Sequence, residues 1–222
     1  FAVTMAGATG NTFTNNTVTG NGVGITSGLV QSAGVIIRSG AASTTLDRNV
    51  IRANYGAGVQ VNNGSTGTRM TRNSFSLNGT ITSRNGSGAT GQIAIDLNSA
   101  TNNINFGTAP FYTLNDANDT DAGGNDLRNF PVLASATSSG GNLVVTGFAR
   151  PGSLIELFIA NPDPSGFGEG ETYLLTLTEG GTGAGGTYPY ADTDAGTGTY
   201  GPGAINGIAQ GTDNTNKFTF TL

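Results

Sequence analysis

Any chemistry in this chain falls to carboxylates, arginines, hydroxyls and amides. The 222 residues include no histidine and no cysteine, and Lys217 is the sole lysine. Ser-His-Asp triads, imidazole-ligated metals, thiolate nucleophiles, iron–sulfur clusters and disulfides are therefore excluded. The richest run of oxygen ligands lies between Asn115 and Pro131, where Asp119, Asp121 and Asn125 follow an Asp-x-Asp-x-Gly-x-Asn spacing and Asp126 comes next. Oxygens at alternate positions suit a hard cation, and Ca2+ is the cofactor this pattern suggests. The twelfth position of such a loop is Phe130 instead of a bidentate Glu. A solvated, turn-rich linker is the other reading, and both stay open here. Asp192-Thr-Asp194-Ala-Gly196 repeats the first five residues of the pattern with the same two readings.

Acid–base catalysis on a saccharide needs carboxylates clustered around the scissile bond. Residues 1–112 hold only Asp47 and Asp96, set among six arginines, with no lysine. Asp47 lies beside Arg48 and close to Arg52, which reads more simply as a solvated turn pair. We therefore expect no enzymatic activity and assign no catalytic residue.

The elements that carry these residues are short. Glycine contributes 37 residues, and only 10% of the chain is charged. Gly, Asn, Thr and Ser alternate with brief Val/Ile/Phe runs, the signature of many short strands joined by tight turns. Charge is uneven: residues 1–112 carry +4 and residues 113–222 carry −9, within a net −5. That shift predicts a domain boundary near residue 115. The acidic balance and scattered arginines argue against nucleic acid. No stretch approaches 18 consecutive apolar residues, so no membrane insertion is expected.

Three segments of the first half align without gaps. They are Phe13–Asn21, Leu46–Asn54 and Met70–Asn78, sharing the pattern apolar-x-x-Asn-x-apolar-x-x-Asn at periods of 33 and then 24 residues. Alternating runs follow: Val23-Gly-Ile25, Val59-Gln-Val61 and, after an insertion, Ile93–Leu97. The pattern predicts stacked coils at a strand spacing of about 4.8 Å, with the apolar columns inside. Asn16, Asn49 and Asn73 should form one ladder, and Asn21, Asn54 and Asn78 a second. Asn also tolerates the left-handed backbone required at corners. Residues near 26–42 and 79–91 would be a further strand or loops.

From Pro131 the text changes to longer strand-like runs: Val132–Ala136, Asn142–Phe148, Ser153–Ile159, Thr172–Leu177 and Phe218–Leu222. Their Gly/Pro-punctuated spacing predicts an antiparallel sandwich.

Residues 10–100 resemble the right-handed parallel β-helix repeats of large bacterial surface and secreted proteins. Residues 147–174 look like the Ig-like module that often follows such repeats, and residues 115–133 match the acidic stretch that joins the two. The resemblance implies an all-β chain: parallel β-helix repeats over 1–112, an acidic connector over 113–130 and an Ig-like β-sandwich over 131–222. In that family a further strand follows the position of Phe218–Leu222, so the sandwich is expected to be incomplete at its C-terminal end and this chain a piece of a longer polypeptide.

The function expected is a structural or adhesive segment of a secreted or cell-surface protein. Its partners would be other surface proteins or further domains of the same polypeptide, with glycans a further candidate. The alternatives are a glycan-binding β-helix module and, after it, a polysaccharide-degrading β-helix enzyme. Thr12, Thr14, Thr17 and Thr19 offer Thr-x-Thr pairs for a glycan or ice surface, but the next two coils do not repeat them.

Overall fold

The structure is a computed structural model that describes residues 3–24, 32–116, 118–183, 188–194, 197–199 and 214–222. Its described strands form parallel sheets in the first part of the chain and antiparallel pairs in the second.

In the first part the chain passes through three sheets in turn. The first holds β1 (Val3–Ala6), β4 (Val35–Arg38), β7 (Val59–Val61) and β10 (Ile95–Leu97). The second holds β2 (Thr12–Thr14), β5 (Thr45–Asp47) and β8 (Arg69–Thr71). The third holds β3 (Thr17–Thr19), β6 (Val50–Arg52) and β9 (Ser74–Ser76), and every pair in the three sheets is parallel. Registry follows the sequence repeat: Phe13, Leu46 and Met70 form one column, and Val18, Ile51 and Phe75 another. These side chains, with Val35, Ile37, Val59 and Val61, build the core of the stack.

The run that aligns with Val59–Val61 is Val35–Ile37 of β4, not Val23-Gly-Ile25. Val23 lies in a turn, and Ile25 falls outside the described residues. The shift arises because each turn of the chain opens with a first-sheet strand. Val3–Ala6 opens the first, and the insertion after Asn21 delays the second until residue 35. The later insertion, 79–91, contributes no strand.

The corners are left-handed, though not at the ladder asparagines. Positive φ falls on the residue before each: Asn15 (57°), Arg48 (54°) and Arg72 (53°) in one column, and Gly20 (69°), Ala53 (49°) and Leu77 (60°) in the other. The bend comes one residue early, which leaves each Asn side chain free to reach the next rung.

The second part contains an antiparallel sheet in the order β11 (Val132–Ser139), β12 (Asn142–Ala149), β16 (Asn214–Thr221) and β15 (Thr197–Thr199). A two-stranded sheet joins β13 (Leu154–Asn161) to β14 (Glu169–Thr178). Val145, Ala149, Ile155, Leu157, Leu177, Phe218 and Phe220, drawn from both sheets, share one core. The edge of β16 beyond β15 is occupied near its end: Thr193 N–H donates to Thr219 O (3.0 Å), and Thr219 N–H to Asp192 Oδ1 (2.9 Å).

The two compact units interleave in sequence. The first comprises residues 1–113, 121–127 and 158–173, and the second 114–120, 128–157 and 174–222. Within the first, Gly124 N–H donates to Asn98 O (2.8 Å) and Asn125 N–H to Ser65 O (2.7 Å), which binds the middle of the acidic segment to the parallel stack.

Candidate functional site

The acidic segment splits between the units. Asp119 belongs to the second, where its carboxylate meets Arg150 Nη1 at 3.4 Å and accepts from Asn129 N–H at 2.6 Å. Asn115 and Asp116 clasp the returning chain. Asn115 Nδ2 donates to Phe130 O (2.9 Å), Phe130 N–H to Asn115 Oδ1 (3.0 Å), and Asn129 Nδ2 to Asp116 O (2.8 Å). Asp121, Asn125 and Asp126 belong to the first unit. There Asn125 Oδ1 accepts from Thr68 N–H at 2.7 Å, while Asp126 is exposed. Among the described residues no three His, Cys, Asp or Glu side chains gather as a metal would require. Asp192 of the second motif is a clasp as well: Oδ1 takes Thr219 N–H and Oδ2 takes Gly180 N–H (3.0 Å). Residues 195 and 196 of that motif lie outside the described residues.

Asp47 and Asp96 sit in different sheets, on β5 and β10. Asp47 is gripped by Arg72 at both oxygens (Nε 2.8 Å, Nη2 2.7 Å), with Arg48 Nη1 at 3.0 Å. The pairing joins consecutive rungs, and bidentate geometry makes it a strong charge-assisted contact. Asp96 is 1% exposed, and burial pushes its carboxyl up to about 7. It pairs in register with the fully buried Gln60, and the Asn98 amide lies 3.2 and 3.3 Å from its two oxygens. Gly107 (φ 66°) lies over Asp96, where an added Cβ would collide with Oδ2. Asp96 is thus sealed under the 103–111 segment, whose Ile104 O also accepts from Gln60 Nε2 (2.9 Å) and Asn62 Nδ2 (2.8 Å). Alternation alone places Gln60 outside; this overlying segment is what buries it.

The most developed polar constellation is the pair of asparagine columns. Asn49 Oδ1 accepts from Asn16 N–H (3.0 Å), and Asn73 Oδ1 from both Asn49 N–H and Nδ2 (2.9 Å each). In the second column Asn54 Oδ1 accepts from Asn21 N–H (3.1 Å) and Nδ2 (2.9 Å). Asn78 Oδ1 accepts from Asn54 N–H (3.3 Å) and Nδ2 (2.8 Å). Asn amides also reach back: Nδ2 of Asn49, Asn73 and Asn78 donates to Phe13 O, Leu46 O and Ile51 O. Asn49 and Asn54 thereby join three levels of the stack, Asn73 and Asn78 two, and few polar atoms are left unmet. Glu169 completes the second column, taking Asn78 N–H at 3.0 Å and Nδ2 at 2.8 Å. Nothing local in the sequence marks Glu169, which is 91 residues from its partner. The Thr-x-Thr pairs do not extend: Thr17 is followed in register by Val50 and Ser74, and Thr19 by Arg52 and Ser76.

Fold and site together define an all-β protein whose repeated polar residues bond one rung to the next. Comparison with protein-family models, with curated proteins and with solved structures finds no match. No helix among the described residues is long and apolar enough to cross a membrane.

Proposed function

We propose that this chain is a non-catalytic structural and adhesive segment of a large secreted or cell-surface bacterial protein, a right-handed parallel β-helix leading into an Ig-like β-sandwich. The observation that supports the reading is where the repeat's polar side chains go. Asn49, Asn54, Asn73 and Asn78 are buried and bonded between rungs, and Asp47 is bound by Arg72. The repeat therefore conserves stacking within itself instead of presenting reactive groups. Stacked rungs add length with each repeat contacting only its neighbours, which suits a spacer or stalk that holds other domains away from a surface.

Two measurements test this. Antibodies raised against the 222-residue chain should label intact cells that make the full protein; label found only after lysis overturns the surface assignment. The purified chain, incubated with uronate and neutral polysaccharides, should release no reducing ends. Release that disappears in Asp47→Asn or Asp96→Asn overturns the non-catalytic reading in favour of a polysaccharide-degrading enzyme.

A further inference from the structure

Four polar side chains share the outward face of the first sheet. Gln60 and Asp96 are register partners on β7 and β10, and Asn62 and Asn98 stand two residues further along. Each is 4% exposed or less. Their donors are spent. Gln60 Nε2 goes to Asn62 Oδ1 (2.7 Å) and Ile104 O (2.9 Å), Asn62 Nδ2 to Ile104 O (2.8 Å), and Asn98 Nδ2 to Asn62 Oδ1 (2.7 Å).

The acceptors are not answered. With those bonds made, Asn98 Oδ1 faces the two Asp96 oxygens at 3.2 and 3.3 Å, so three oxygens converge. Turning the Asn98 amide over aims its nitrogen at Asp96 but sets its oxygen 2.7 Å from Asn62 Oδ1, and the conflict only moves. Gln60 Oε1, beside Asp96 in register, is buried with no partner. Among the described residues no N–H, O–H or cationic side chain pairs with the Asp96 carboxylate. Over Oδ2 lies Gly107, at a place that any Cβ would fill.

Buried oxygens that meet without donors need a positive group between them. A shared proton draws two oxygens to about 2.5–3.0 Å, closer than the spacing at Asn98. A cation about 2.3 Å from each ligand holds oxygens at right angles about 3.3 Å apart, whereas Mg2+ at about 2.0–2.1 Å holds them at about 2.9 Å. The observed spacing is that of the larger ion.

The geometry points to a site for a hard cation of calcium's size, with Asp96 ligating through both carboxylate oxygens and Asn98 Oδ1 and Gln60 Oε1 beside it. None of Asp119, Asp121, Asn125 and Asp126 is part of this site. A shell with one carboxylate binds weakly, with a Kd of about 0.1–1 mM for Ca2+. Na+ has the same size and ligand preference, and the experiment separates the two. The inference rests on this cluster alone and holds whether or not the adhesive reading does.

The whole chain is refolded at about pH 8 in buffer free of both ions, so that an added ion enters before residues 103–111 close. At constant ionic strength, about 10 mM Ca2+ should raise the melting temperature by about 3–10 °C, and Mg2+ by much less. Asp96→Asn keeps the side chain's shape and should lose the response, and equilibrium dialysis with radioactive calcium should count one ion fewer per chain. Gln60→Glu adds a second carboxylate; it should be less stable without the ion and bind it about tenfold tighter. A purely structural cluster predicts only the loss. A response to Na+ in place of Ca2+, absent in Asp96→Asn, supports the site and assigns it to sodium. No response to either ion, an equal response to Mg2+, or an undiminished response in Asp96→Asn overturns the proposal.

Discussion

Asn78 Oδ1 holds Asn54 twice, through its backbone N–H at 3.3 Å and its side-chain Nδ2 at 2.8 Å, with both residues fully buried. Asn54 in turn accepts the same two bonds from Asn21. An Asn54→Ala substitution therefore orphans the N–H and Nδ2 of buried Asn21 and takes from Asn78 Oδ1 one of its two donors. An unmet buried polar group costs about 1–3 kcal/mol, so a loss of about 3 kcal/mol or more is expected in denaturant unfolding. Asn16→Ala, at the exposed start of the other column, should cost no more than about 1 kcal/mol. Equal losses at the two sites would show that the columns contribute little beyond local propensity.

Asp96 makes stability depend on pH in the sense opposite to most carboxylates. Its carboxyl is pushed up from 3.8 to about 7 by burial, so the folded state favours the neutral acid. Below about 3.8 both folded and unfolded chains are protonated there, and the contribution is fully present. As pH rises from about 4 to 7 the unfolded chain ionises first and the contribution is lost, up to about 4 kcal/mol at 1.36 kcal/mol per unit. Asp96→Asn removes this titration. Urea unfolding from pH 4 to 8 should show the unsubstituted chain losing stability relative to Asp96→Asn across that window. Parallel curves would refute the assignment.

Ala53 occupies a left-handed corner, at φ 49°, where its column neighbour in the first rung is Gly20. The left-handed backbone costs an L-residue about 1–2 kcal/mol, and glycine's extra unfolded-state entropy costs about 0.5–1 kcal/mol. Ala53→Gly should be neutral or raise stability by up to about 1 kcal/mol, while Ala53→Val should lower it by more than about 1 kcal/mol. Thermal melts of the two variants check the sign. A destabilised Gly variant with an unaffected Val variant would contradict the corner geometry.

The columns were legible in the sequence because a stack repeats its chemistry at fixed spacing: Phe13, Leu46 and Met70, and the six asparagines, sit where the 33- and 24-residue periods place them. Such residues meet partners that occupy the same position of the repeat, so one-dimensional text carries the contact. The alternating strands of the second part were legible for a similar reason, since strand propensity and turn residues act locally. What the sequence left undecided involves partners with no repeat relation. Whether the asparagines or their predecessors turn the corner depends on which leaves the Asn amide free, and the backbone settles on Arg48 and Ala53. The acidic segment reads as a cation loop or a linker, and the partners it meets, Arg150 and Asn129 at Asp119 and Thr68 at Asn125, stand in no repeat relation to it. Gln60 and Asp96 look outward-facing by alternation and are buried only because residues 103–111 fold over them. Glu169 reaches Asn78 across 91 residues, with chain closure and burial, not spacing, selecting the pair. Local periodicity thus determined the rungs, and the tertiary structure alone decided what covers and ends them, because covering groups come from distant segments whose register no repeat enforces.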